Sequence, residues 1–255
     1  MPGLPLCRRG NEGEVNIMAD KHVQETAHKK DVDVVTRARG FWAKNSKPII
    51  YISTAIILIA GGWLVYKYMF KLPKEEKAND AVFVVQRYFR DFSNAPDSLK
   101  VTLANRVLNG DGGNTGALKF ITKYDGTAAA NLCHYYAGAS YLHLKQFDKA
   151  IKQLKDFSTD AAQIQSWAYG MIGDAYAELK KNNDALDYYK KAADENKKDE
   201  FTSAEFLFKA GLFAETIGKK QEAIDMYKKI KTDYPLTDKA ANIDRYLARL
   251  GEVGE

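Results

Sequence analysis

Three stretches of the chain share one spacing of small and apolar residues: 138-GASYLHLKQFDKAIKQLKDF-157, 173-GDAYAELKKNNDALDYYKKA-192 and 211-GLFAETIGKKQEAIDMYKKI-230. Each stretch begins with glycine, has alanine twelve residues later, and has leucine or tyrosine sixteen residues after the glycine. The glycines are 35 and 38 residues apart. Agreement in phase over three units predicts an internal repeat covering residues 131–235.

The repeat has a physical cause in the packing of paired helices. A short polar turn (KQFD, KNND or GKKQ) separates two apolar segments in each unit, so each unit is expected to form an antiparallel helical hairpin. Small residues are expected where the two helices cross closely, because larger side chains would push the axes apart. One hairpin cannot bury its apolar face alone, so the units are expected to stack into an all-α solenoid. The predicted repeat-packing residues are Gly138, Ala150, Gly173, Ala185, Gly211 and Ala223.

These small and aromatic positions resemble the tetratricopeptide repeat over about 105 residues. The resemblance implies a fold of stacked helical hairpins in which the first helix of each unit lines a concave, protein-binding groove. Carried over position by position, the candidate groove residues are Leu132, Tyr135, Leu142, Trp167, Asp174, Phe208 and Leu212.

The implied groove is apolar and mildly acidic; its acidic residues are Asp174, Glu178, Glu205 and Glu215. One subgroup of the family holds chaperone C-termini with a lysine and an asparagine, and here Tyr135 and Ala139 occupy those positions. We therefore expect no carboxylate clamp, and an extended or helical partner segment with apolar anchors suits the groove better. The alternative is that Leu132, Trp167 and Phe208 are covered by neighbouring helices, and the sequence leaves both interpretations open.

Upstream of the repeats, residues 48–66 (PIIYISTAIILIAGGWLVY) contain no charged side chain. About 20 apolar residues span the hydrocarbon core of a bilayer as a helix. Trp42, Trp63 and Tyr68 lie where aromatic rings favour the membrane interface, and Lys47 and Lys67 flank the run. The sequence therefore predicts one transmembrane helix.

The predicted organisation has five parts. They are a disordered basic tail (1–47), a transmembrane helix (48–70), membrane-proximal helices that form a degenerate repeat (71–130), three tetratricopeptide-like repeats (131–235), and a capping helix with a short tail (236–255). Thr237 is the predicted N-cap of the capping helix. Translation from Met1 and from Met18 are both compatible with the tail.

The charge distribution excludes one class of partner and orients the anchor. Residues 71–255 hold 28 lysines and arginines against 27 acidic residues, and a nearly neutral domain lacks the basic patch that nucleic-acid binding needs. Residues 28–47 carry six basic side chains and residues 67–86 carry four. The positive-inside rule then favours a cytoplasmic N-terminus and an exported C-terminal domain.

Nothing in the sequence predicts catalysis, a cofactor, a metal site or a small-molecule substrate. The glycine-rich loop Asn109–Gly116 lacks the lysine and the preceding strand of a phosphate-binding loop, and is expected to be a flexible connection between helices. His134 and His143 are not joined by other residues at metal-ligand spacing, and Cys133 has no activating partner on its helix face. We expect a protein that is not an enzyme.

A basic tail, one anchor and an exported repeat domain together resemble the layout of the ancillary subunit of the bacterial Sec translocon. The resemblance implies a non-enzymatic scaffold of the bacterial inner membrane that contacts translocon subunits, periplasmic chaperones or exported clients. Two alternatives stay open: an organelle import receptor with cytosolic repeats, and a structural adaptor in cell-envelope assembly.

Overall fold

The computed structural model describes the backbone of residues 12–252 and the side chains of residues 35–252. Within these residues the chain forms α-helices, one π-helical turn and one pair of two-residue strands. A long apolar N-terminal helix is followed by helical hairpins, which confirms the predicted all-α fold.

The N-terminal helix α1 spans Glu12–Tyr66 and accommodates Pro48 in its interior. The helical span Val35–Asn94 contains an 18-residue window with a mean hydropathy of 2.0, none of which is buried. By length and composition, this is the one span in the described residues that is apolar enough to cross a membrane.

The tail predicted to be disordered over 1–47 differs from the structure, in which the backbone is helical from Glu12 onward. Residues 14–39 contain neither glycine nor proline, so no helix breaker interrupts this stretch. The part of the tail before Glu12 lies outside the described residues.

A π-helical turn, Lys67–Lys71, leads into α2, Leu72–Asn94. Pro73, in the first turn of α2, has no N–H to donate to a carbonyl of the preceding turn, and the wider π turn accommodates this missing hydrogen bond. The chain divides into two compact units between Met69 and Phe70.

The first part of the second unit packs α2 against α3, Asp97–Asn109, and joins α3 to the short helix α4, Ala117–Lys123. The loop between α3 and α4 was expected to be a flexible connection. It contains instead a two-stranded hairpin in which β1, Gly110–Asp111, pairs antiparallel with β2, Asn114–Thr115. The hairpin requires glycine at position 110, because the residue there has φ +78° and a Cβ would collide with the backbone of Asn114.

Three helical hairpins and a closing helix follow. The hairpins are α5, Ala128–His143, with α6, Phe147–Asp156; α7, Ala162–Glu178, with α8, Asn182–Glu195; and α9, Glu200–Thr216, with α10, Lys220–Asp233. The closing helix α11, Asp238–Arg249, packs against α9 and α10. The side chain of Thr237 accepts a hydrogen bond from Ala240 N at 3.3 Å, which confirms the predicted N-cap.

The three hairpin turns share one backbone conformation seven residues after the repeat glycine. Lys145, Lys180 and Gly218 have φ values of 57°, 60° and 78°. The residue that follows each of them donates its backbone N–H to the carbonyl oxygen five residues earlier, as Lys181 N does to Tyr176 O at 2.9 Å. This pattern is the Schellman motif, which ends a helix and satisfies carbonyls of its last turn.

The buried core of the second unit consists of two clusters. One runs from α2 to α7 and the other from α8 to α11. Tyr169 and Tyr176 of α7 pack against both clusters and join them. The hairpins are thereby stacked in sequence order, as a solenoid requires.

Candidate functional site

The repeat glycines lie against the second helix of their own hairpin. A Cβ on Gly173 would be 2.6 Å from ring carbons of Tyr189 and 3.3 Å from the carbonyl oxygen of Ala185. Gly138 faces Leu154 and Gly211 faces Tyr227 in the same way. The alanines predicted to pack at these crossings, Ala150, Ala185 and Ala223, have no exposed surface.

Two of the repeats contain a buried tyrosine that is hydrogen-bonded to a carboxylate, which also binds a cation. Sequence reasoning did not predict this arrangement. Tyr189 Oη donates to Asp174 Oδ1 at 2.7 Å, and Lys209 Nζ of the next hairpin approaches the same carboxylate at 2.6 Å. One repeat later, Glu215 Oε1 accepts from Tyr227 Oη at 2.5 Å and from Arg249 of α11 at 2.7 Å. Each arrangement joins a hairpin to the next element of the solenoid.

The environment keeps these phenols protonated. Burial, followed by the charge of Asp174, raises the pKa of Tyr189. Burial, followed by the hydrogen bond to Glu215, raises the pKa of Tyr227. Each protonated phenol therefore acts as the hydrogen-bond donor to its carboxylate.

The same kind of cluster fixes the α3–α4 hairpin. Asp111 accepts from Tyr88 of α2 and pairs with Arg106 of α3, whose guanidinium lies 4.7 Å from the Tyr88 ring centroid. The hydrogen bond from Tyr88 is the main cause that lowers the pKa of Asp111. The carboxylate of Asp111 therefore holds the loop in place. From the sequence, Asp111 was known only as an isolated aspartate in the loop.

Two candidate groove residues are exposed. Trp167 is 46% exposed and lies edge-on to Phe206, with ring centroids 5.1 Å apart. Leu212 is 36% exposed. Phe206 itself is buried because it fills the space over Gly170, where any side chain would collide with its ring. Sequence reasoning did not anticipate that Phe206 occupies the space over Gly170.

The other apolar candidates are partly buried and pack against the core: Leu132, Tyr135, Leu142 and Phe208. The Tyr135 ring lies 5.3 Å from Phe157, and burial raises the pKa of its hydroxyl. The Phe208 ring lies 4.8 Å from that of Tyr246, so α11 covers it. These contacts match the alternative in which neighbouring helices cover the first-helix residues.

Within the described residues, three of the four acidic residues of this face, all except Glu178, form ion pairs. Asp174 pairs with Lys209, and Glu215 pairs with Arg249. Glu205 pairs with Lys239 at 2.9 Å. The face therefore carries exposed apolar side chains beside three paired carboxylates and the unpaired carboxylate of Glu178.

The described residues offer little for chemistry or metal binding. No group of three or more histidine, cysteine or acidic side chains that could hold a metal ion occurs among them. Burial raises the pKa of the Cys133 thiol to about 12. His134 Nδ1 lies 2.8 Å from Gln153 Oε1, and the His143 ring packs edge-on to Phe92. These side chains have structural neighbours rather than catalytic partners.

Comparison with known proteins identifies one of the three repeats. Residues 205–237, which cover α9 from Glu205 onward and the whole of α10, match the family model of a tetratricopeptide repeat. No curated protein matches the chain. A tetratricopeptide repeat indicates a protein–protein interaction scaffold, and a helical solenoid of this type is typically non-enzymatic.

Proposed function

We propose that this chain is a membrane-anchored scaffold that assists protein export, with its repeats bound to translocon subunits, periplasmic chaperones or exported clients. The observation that carries the proposal is the combination of one apolar span in the N-terminal unit with helical hairpins that include a tetratricopeptide repeat. The anchor holds the domain at a membrane, and the stacked hairpins supply a surface for protein partners.

In this proposal the protein lies in the bacterial inner membrane, with the N-terminus in the cytoplasm and the repeats in the periplasm. Six basic residues before the apolar run, against four after it, support this orientation. A reporter that is active only after export, fused behind Glu255, is expected to be active. An inactive reporter, with a cytoplasmic reporter active at the same position, would favour an import receptor with cytosolic repeats.

The first helices provide the binding surface, with Trp167 and Leu212 as its exposed apolar anchors. Exposed tryptophans that become buried in an interface often contribute most of its binding energy. The paired charges of Asp174 and Glu215 border this surface and favour a partner segment that presents apolar side chains.

Purification of the full chain from its membrane in mild detergent tests the proposal. We expect translocon subunits or periplasmic chaperones to co-purify with the wild-type chain and to be depleted with Trp167→Ala/Leu212→Ala. Lys228→Gln, an exposed change on α10, is the matched control and should retain them. Recovery of only envelope-assembly proteins would support the structural adaptor and contradict an export role.

A further inference from the structure

Three lysines and three tyrosines form one cluster between α6, α7 and α8, separate from the candidate groove residues. Its central ring is Tyr188 of α8, which lies 5.4 Å from the ring of Tyr176 and 6.2 Å from that of Tyr169. The lysines are Lys155, Lys181 and Lys191. We call these six residues the lysine–tyrosine cluster.

The aromatic rings hold the ammonium groups close together. Lys155 Nζ lies 5.5 Å and Lys191 Nζ lies 5.9 Å from the centroid of Tyr188, so two cations share one ring. Lys191 is also 4.0 Å from the centroid of Tyr169. Cations within about 6 Å of a ring centroid are attracted by the π-system, which here offsets the repulsion between like charges.

Lys155 is fixed further by a hydrogen bond. Its Nζ donates to Tyr176 Oη at 2.8 Å, and this bond is the main cause that raises the pKa of Lys155. Lys181 approaches the same ring, with its Nζ 5.7 Å from the Tyr176 centroid. The three charges are therefore positioned by tyrosines, and their side chains lose less entropy on binding than free surface lysines would.

The three lysines lack the acidic neighbours that other lysines of the repeats have. Lys209 pairs with Asp174, and Lys231 pairs with Asp244. Among the residues that the structure describes, no carboxylate oxygen lies within 4.0 Å of the three cluster lysines. Asp187 and Glu195 are one helical turn from Lys191, and neither pairs with it. The cluster is a local concentration of positive charge without a directly paired carboxylate, in a domain of nearly balanced charge.

We propose that the lysine–tyrosine cluster binds an acidic segment of a partner protein. Ammonium groups form strong, charge-assisted hydrogen bonds with carboxylates, and a carboxylate between Lys155 and Lys191 would relieve their mutual repulsion. The limited extent of the cluster fits a short acidic peptide better than a nucleic acid, which needs a long basic stripe. The inference rests on the proposed function only in that the partner is a protein. The cluster would be a second binding surface, in addition to the one around Trp167 and Leu212.

Fluorescence anisotropy with the full chain in mild detergent tests the site directly. The probe is a labelled peptide of glutamates spaced by serines, compared with the same peptide carrying glutamine at every glutamate. We expect saturable binding of the glutamate peptide alone, weakened by salt as exposed charge pairs are. Lys155→Gln/Lys191→Gln should raise the dissociation constant at least about tenfold.

The matched control is Lys228→Gln/Lys231→Gln, which removes the same charge from α10. We expect its dissociation constant to stay within about twofold of wild type, and melting curves should confirm that both variants fold. Equal loss in the control, equal binding of the glutamine peptide, or no binding to the wild type would overturn the proposal. Stronger binding of a labelled oligothymidylate than of the glutamate peptide would also contradict it. No translocon component is present in this assay. Failure of peptide binding would therefore not contradict the export role, and a failed export test would not contradict peptide binding by the cluster.

Discussion

Tyr189 Oη and Asp174 Oδ1 are joined by a 2.7 Å hydrogen bond between the two helices of one hairpin, and Lys209 of the next hairpin binds the same carboxylate. Asp174 was a groove candidate because of its position in the repeat. Its contacts give it a structural role, since it links the second and third hairpins through one side chain. A partner protein that contacted Asp174 would meet a carboxylate already bound by Tyr189 and Lys209.

Tyr189→Phe is expected to lower the free energy of unfolding by about 1–2 kcal/mol, because it removes a hydrogen bond to a charged group while the ring still packs against Gly173. Chemical denaturation of the full chain in mild detergent measures the change. Tyr124→Phe is the matched control, because its hydroxyl has no hydrogen-bond partner among the described residues, and it should change stability much less. Equal effects in the two variants would show that the bond to Asp174 adds no stability.

Gly173→Leu is expected to destabilise the second hairpin, since even a Cβ at this position would be 2.6 Å from the Tyr189 ring. Overpacking of this kind typically costs about 1–3 kcal/mol. Gly40→Ala provides a comparison, because nothing lies within 4 Å of its added Cβ. A melting temperature of Gly173→Leu equal to that of wild type would contradict the close helix crossing.

The hairpin turns predict a stabilising change. Lys180 has φ 60°, a left-handed conformation that costs a residue with a Cβ roughly 1–2 kcal/mol, whereas glycine adopts it freely. The greater freedom of glycine in the unfolded chain offsets part of this gain, so Lys180→Gly is expected to stabilise by roughly 0.5–1 kcal/mol. The reciprocal change, Gly218→Ala, should destabilise, and a thermal melt that orders the two variants the other way round would contradict the turn geometry.

The interactions of Asp111 with Tyr88 and Arg106 predict that the free energy of unfolding depends on pH. The pKa of Asp111 is lower in the folded chain than in the unfolded chain, chiefly through the Tyr88 hydrogen bond. A lowered carboxyl pKa contributes stability above the unfolded pKa, and this contribution is lost as the pH falls through the folded value. The stability difference between wild type and Asp111→Asn should therefore be present at neutral pH and shrink in acid. A difference that is constant across this range would exclude the charge of Asp111 as its cause.

The sequence predicted the class of fold because the repeated spacing has one simple cause. The spacing of Gly173, Ala185 and Tyr189 reflects a helix crossing inside one hairpin, and such local geometry can be read from a single chain. The predicted N-cap Thr237 is local in the same sense. The turn conformation at Lys145 and Lys180 was not predicted, because lysine gives no signal for a positive φ.

The surface was harder to predict because it depends on contacts between units. Whether Phe208 is exposed depends on Tyr246, which lies 38 positions further along the chain. The space above Gly170 is filled by Phe206 of the next hairpin. Of the two lysines over Tyr188, Lys191 lies on the same helix, α8, and Lys155 lies on α6, so the spacing within one segment does not reveal the ring that they share.

The central claim is that the first-helix surface around Trp167 contacts the export machinery. It is tested most directly by photocrosslinking in growing cells, with benzoylphenylalanine in place of Trp167. The exposed position of Lys228 on α10 is the control. Melting of the purified variants shows that the solenoid is intact, which is expected because Trp167 is 46% exposed.

The account predicts adducts at position 167 that mass spectrometry identifies as translocon subunits, periplasmic chaperones or exported clients, with none of them at position 228. A folded variant that gives no such adduct at position 167, or gives the same adducts at position 228, would contradict it.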